Sequence, residues 1–247
     1  MVGKKSRFAF ALGLLLVSGV ALGAGPVTIK GRLAGTQKLL NPVWNEAKNP
    51  TEHRYTFREP SVTTRTDART LTAQLDKEVA IVAVTDAGGG AVKGVTMQVK
   101  GGRISPVTMV VTQGVAIQIE NKDPFPHRLY DTGNKGFQVG ETPANKARTW
   151  TPPGPGKYEI RDQAAPSIRA WIVVEPKAVA ATYPDRKGEF TMDLDPGKYK
   201  LRAYHNGDMV GKELDIVVNP APAEQLLKSP LVAGEEPKKD DKKEEKK

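Results

Sequence analysis

The sequence predicts an all-β protein of sandwich type, and three observations carry that prediction. Short runs either alternate apolar and polar residues or are continuously apolar, as strands with one or both faces buried would be. Turn-forming clusters separate these runs, drawn from 24 Gly and 19 Pro among the 247 residues. No stretch sustains an apolar stripe at helical spacing long enough to compete.

Taken in order, the first strand is Val27 to Leu33, which alternates cleanly. Residues 44 to 78 are the least regular, rich in Thr, Arg and Glu around His53, Tyr55 and Phe57, and Thr70 to Glu78 reads equally as a short helix or a loop. Val79 to Val84 is a continuous apolar run that Asp86-Ala-Gly-Gly-Gly90 ends. Val95 to Val99 and Val107 to Thr112 follow as short strands, Val115 to Glu120 alternates, and Trp171 to Val174 closes a central unit at Glu175-Pro176. Beyond it, a polar turn after Pro184, the turn Asp195-Pro-Gly197 and a strand from Gly211 to Val218 make a hairpin. Three strands bury too little alone, so Val27 to Leu33 completes this piece or the hairpin packs on the central unit. Pro220-Ala-Pro222 is read as a break, Glu224 to Lys228 as one helical turn, and residues 220–247 as a charged, disordered tail, its Lys/Glu/Asp tract being too polar to fold.

Lys4, Lys5 and Arg7 precede an apolar run from Phe8 to Val20 and the small residues Ala21-Leu-Gly-Ala24. That order is the one a secretory signal peptide has, and its apolar core is too short to span a bilayer. The expected division is therefore a signal over 1–24, a β segment with a long polar loop over 25–94, a central sandwich over 95–176, a β module over 177–219 and a tail over 220–247. No transmembrane segment is expected once the signal is removed, and a periplasmic or secreted location follows.

The formal charge of +9 falls to +6 without the three signal cations, and Lys and Arg are interspersed with Asp and Glu. Without a clustered basic stripe, nucleic acid is not an expected partner; an envelope protein or a surface polymer is. The absence of Cys excludes disulfides and a thiol nucleophile. No Gly-x-Ser-x-Gly elbow occurs, and Gly88-Gly-Gly90 leads into Ala-Val-Lys rather than a phosphate-cradling helix. Asp193, Asp195 and Asp208 sit where Asp commonly stabilises turns. A non-enzymatic protein without a cofactor is expected.

Three segments in order, Val115 through Asn121-Lys-Asp-Pro-Phe-Pro-His127, Pro152-Pro-Gly-Pro-Gly-Lys-Tyr158 and Ile160 through Ala170-Trp-Ile-Val-Val174, resemble the cupredoxin (plastocyanin-like) family. The resemblance covers about the central third of the chain and implies a Greek-key sandwich. It places His127 at the first copper ligand, Asp162 where the ligand Cys would stand, Ala165 at the second His and Ile168 at the Met. A blue-copper centre needs a thiolate and two imidazoles, so the resemblance implies the sandwich without its electron-transfer site. The segment after Pro184 resembles the carboxypeptidase-regulatory-like or transthyretin-like modules, small β-sandwiches without catalytic residues.

Two readings of His127 follow. It serves as a structural imidazole bridging strands, or it pairs with Asp162 as a weak copper or zinc ligand. His205 reads as a packing residue and His53 as exposed, while Met109, Met192 and Met209 read as core filling rather than a Cu(I) site. Glycan or peptidoglycan binding is a further alternative, through any exposed subset of Phe125, Tyr130, Phe137, Trp150 and Tyr158. The expected function is that of an exported binding or scaffold protein of the cell envelope.

Overall fold

The computed structural model describes residues 25–36, 39, 75–87, 90, 92, 95–133, 135–165 and 168–234. The signal segment, His53 and the final Lys/Glu tract lie outside the described residues. The architecture is all-β: seventeen strands and one four-residue helix, α1 (Leu75–Glu78), are described.

Four sheets form two sandwiches. In the first, β3 (Thr96–Lys100), β4 (Arg103–Ser105), β6 (Ile117–Asn121) and β9 (Ala147–Trp150) make one sheet in the order β4-β3-β6-β9. Facing it are β5 (Thr108–Val111), β7 (His127–Asp131), β8 (Gly140–Thr142), β10 (Gly156–Asp162) and β11 (Arg169–Val174), in the order β5-β11-β10-β7-β8. The second sandwich has the sheet β12-β2-β14-β15, built from β12 (Ala178–Thr182), β2 (Val79–Val84), β14 (Gly197–His205) and β15 (Asp208–Val218). Its other sheet joins β13 (Glu189–Leu194) and β16 (Glu224–Leu226) to either side of β1 (Val27–Ala34), with β17 (Leu231–Val232) also paired to β1.

The first sandwich is inserted into the second. β2 and β12 pair antiparallel although the whole of β3 to β11 lies between them in sequence, and the Thr85 N–H donates to the Lys177 carbonyl where the chain leaves and returns. Entry and exit are thus neighbours, the geometry that lets one domain interrupt another without disturbing it. The N-terminal strands and the C-terminal module are therefore one sandwich, not separate segments.

Stacking explains the apolar runs. β2 is buried along its whole length because Val79, Ile81 and Ala83 face the second sandwich's core while Ala80, Val82 and Val84 face the first sandwich. There they meet Val110 of β5 and Val173 of β11, whose neighbours Met109, Ile172 and Val174 point the other way into the first sandwich's core. Four β layers enclose three apolar cores. Polar contacts fix the middle layer: Thr108 accepts from the Asn206 N–H at 3.0 Å and from the Tyr183 hydroxyl at 3.0 Å, and Lys157 pairs with Asp208 at 2.7 Å.

Each sandwich contains the same four residues in the same role. In Pro155-Gly-Lys-Tyr158 and Pro196-Gly-Lys-Tyr199 the tyrosine hydroxyl donates to the carbonyl four residues upstream, Gly154 at 2.7 Å and Asp195 at 2.8 Å. The bond pins the turn to the strand that follows it.

One expectation is overturned. Glu224 to Leu226 is a strand parallel to β1, not a helical turn, and Ala233 donates to the Ala34 carbonyl at 2.8 Å, so residues 220–234 are not part of a tail. Backbone pairing with a buried strand outweighs the helix propensity of Glu-Gln-Leu-Leu-Lys.

Candidate functional site

One end of the first sandwich holds a buried histidine between two carboxylates. Its construction begins with Asn121, the fully buried last residue of β6. Its side-chain amide donates to the carbonyls of Phe125 at 2.8 Å and Thr142 at 2.9 Å, and its oxygen accepts the Asp123 N–H at 2.8 Å. That local turn shapes Lys122-Asp-Pro-Phe-Pro126 and delivers Asp123 inward. The Asp123 carboxylate accepts the N–H groups of Gly101 and Gly102, the latter at 3.0 Å. Both glycines have positive φ, 63° and 68°, the conformation a two-residue hairpin turn between β3 and β4 requires. Burial opposes the charge on Asp123, but the Gly102 and Gly101 N–H groups and His127 outweigh it and hold the carboxyl below its ordinary pKa.

His127 opens β7 with none of its surface exposed. Its Nε2 lies 3.0 Å from Asp123 Oδ2, and its Nδ1 is hydrogen-bonded to Asp162 Oδ2. Asp162, 3% exposed at the end of β10, uses Oδ1 to accept the N–H of Arg128 at 3.0 Å and of Ala164 at 2.7 Å. The exposed Phe125 ring covers the imidazole, with centroids 5.0 Å apart. The result is a three-residue bridge, Asp123–His127–Asp162, joining a loop and two strands. Each of its two contacts needs a proton between nitrogen and carboxylate oxygen.

These residues do not fit a blue-copper ion. The chain has no thiolate to offer, Asp162 presents a carboxylate, Ala165 offers no donor, and Ile168 is fully buried in the apolar core. The two nitrogens of one imidazole point in diverging directions, so a single ion could touch only one of them, and each is engaged by a different carboxylate. Among the described residues no group of three or more His, Cys, Asp or Glu is arranged to hold a metal ion. His127 and Asp162 are thus brought together as the sequence reading paired them, but as hydrogen-bond partners. That reading missed Asp123. Its place four residues before His127 and two after Asn121 was visible, whereas its backbone donors lie about twenty residues upstream.

Comparison with known proteins gives a limited result. No protein-family model and no curated protein matches the chain. Solved structures similar to part of it are cupredoxins. A reduced amicyanin mutant is 16% identical, covering 38% of this chain and 99% of its own, with a TM-score of 0.31. Amicyanin from Paracoccus versutus (Thiobacillus versutus) is 19% identical over 40% of this chain and 99% of its own, with a TM-score of 0.31. A purple cupredoxin from Nitrosopumilus maritimus is 14% identical over 33% of this chain and 100% of its own, with a TM-score of 0.29. Likeness at this level concerns shape alone.

The aromatic candidates divide sharply. Trp150, Phe137 and Tyr158 are buried, with Trp150 tilted against Phe137 at 5.2 Å and edge-to-face with Tyr158 at 5.3 Å between ring centroids, which contradicts a glycan platform that includes them. Of the five, Phe125 is exposed, at 47%. Arg148 spans the open side of the sandwich, donating to the carbonyls of Leu129, Gln138 and Gly140 while its guanidinium lies 4.3 Å from the Phe137 ring centroid.

His205 ends β14 against the middle layer and is 7% exposed, with no hydrogen-bond partner for Nε2 among the described residues. Burial lowers its pKa from 6.5 to about 4, against a smaller opposing pull from Asp208. The folded protein therefore favours the neutral ring. The stabilisation is complete above the ordinary pKa and is lost as pH falls from about 6.5 through 4, a change of about 3 kcal/mol. Denaturation at pH 7 and pH 4.5 should show this loss in the wild type and a smaller one in His205→Gln.

Proposed function

We propose that the chain is an exported, non-enzymatic binding or scaffold protein of the cell envelope, in which a cupredoxin-like sandwich has replaced its ligand site by a hydrogen-bonded Asp–His–Asp bridge. The observation that carries the reading is the engagement of both His127 nitrogens by buried carboxylates. Ligation requires a free lone pair, and at either nitrogen a metal ion would have to displace the carboxylate that is hydrogen-bonded there. The same burial leaves no approach for a substrate to the imidazole. Export is supported by the cation, apolar core and small-residue order of residues 1–24. No helix among the described residues is long and apolar enough to cross a membrane.

The test is a calorimetric titration of the purified chain with Cu(II) and Zn(II), alongside fractionation of a Gram-negative host expressing it. The expected outcome is no tight, stoichiometric site at His127 and recovery of a shortened chain from the periplasm or medium. Tight binding lost in His127→Ala, or an unshortened cytoplasmic chain, would refute the corresponding half of the proposal.

A further inference from the structure

The turn joining β12 to β13 builds a second feature, in the other sandwich. Asp185 Oδ1 accepts the N–H groups of Lys187 and Glu189 at 2.8 Å each, and the Gly188 N–H donates to the Asp185 carbonyl at 3.0 Å. The Gly188 carbonyl in turn accepts the Leu33 N–H of β1 at 2.7 Å. Gly188 has φ +83°, and a Cβ there would sit 2.6 Å from the Leu33 carbonyl oxygen, so only glycine lets the turn lie this close to β1. The turn is locked in place.

Its tip presents Arg186 and Lys187, which with Arg32 of β1 line one cavity of about 320 Å³ whose wall also includes Leu33, Thr36 and Leu75. Arg32 stands opposite Glu189 in the antiparallel register, yet the two form no ion pair. Among the described residues none of the three cations has a side-chain hydrogen-bond or ion-pair partner, although exposed cations elsewhere in the fold do, Lys30 with Glu224 and Lys177 with Asp86. Three like charges on a rigid frame repel, and an oxyanion between them removes that repulsion. The planar fork of arginine matches the oxygens of phosphate or carboxylate, and the volume falls at the lower end of ligand sites, about 300–1,000 Å³.

We propose that this cavity binds an oxyanion, the phosphate or carboxylate of a small ligand, through Arg32, Arg186 and Lys187. The same chemistry has a second source within the chain. Ala34 and Gly35 also border the cavity, Ala233 is hydrogen-bonded to Ala34, and Glu235 and Glu236 come next in sequence after Gly234.

Inorganic phosphate titrated into the full chain and into a chain ending at Gly234, read at the backbone amides of Thr36, Lys187 and Gly188, tests the site and separates its sources. A saturable shift is expected, weakened about ten-fold or more by Arg32→Gln and by Arg186→Gln, and not by Lys212→Gln on β15. Tighter binding by the shorter chain assigns the native occupancy to Glu235 and Glu236, and equal binding assigns it to a free ligand. A shift that stays linear with phosphate in both chains, or wild-type affinity in both arginine variants, overturns the site. Arg32 and Arg186 are exposed, so unchanged melting of these variants shows that a lost shift is not lost folding. The outcome is independent of the bridge at His127.

Discussion

Asp162→Ala is expected to destabilise the protein by about 3–5 kcal/mol, the cost of leaving a buried, hydrogen-bonded group without its partner. The substitution removes the acceptor for His127 Nδ1 and also the acceptor for the N–H groups of Arg128 and Ala164, all at one end of the sandwich. Asp162→Asn keeps the shape and an oxygen facing those N–H groups, so its loss should be smaller. Urea denaturation of the two variants and the wild type checks both the size and the order. Equal stability of Asp162→Ala and wild type would mean that the bridge does not support the fold.

Val82→Asp should be as damaging for a different reason. Val82 is fully buried in the layer between the sandwiches, where it shares an apolar cluster with Val110, Val173 and Tyr204. A carboxylate there loses its hydration and gains no partner, so a loss of about 4 kcal/mol or more is expected. Val82→Ala, which only removes volume, should cost about 1–2.5 kcal/mol. Because the two units share this layer, Val82→Asp should lower the melting temperature and shift amide resonances in β5 and β11 as well as in β2. Changes confined to β2 and its own sandwich would show that the two units do not share a core.

The parts of the fold that were legible in the sequence are those whose signal is local. The β2 run announced burial on both faces, and the Pro-Gly-Lys-Tyr segments announced turns entering strands. The short strands β4 and β8 are too brief for periodicity to register, and β12 reads Ala-Val-Ala-Ala-Thr, with no alternation to find. The insertion of one sandwich in the other was hidden because it rests on Val84 meeting Ala178, far apart in the chain. At the site, the pairing of His127 with Asp162 followed from the family resemblance, which aligned both residues with ligand positions. The second carboxylate was not found, because Asp123 is turned inward by backbone donors of Gly101 and Gly102 that no short-range pattern connects to it.

Nitrogen NMR of the His127 ring during addition of one equivalent of Zn(II) to the wild-type chain probes the bridge itself. Both ring nitrogens are expected to keep their hydrogen-bonded chemical shifts. A stoichiometric shift of either nitrogen to a metal-bound position would show instead that the imidazole is free to act as a ligand.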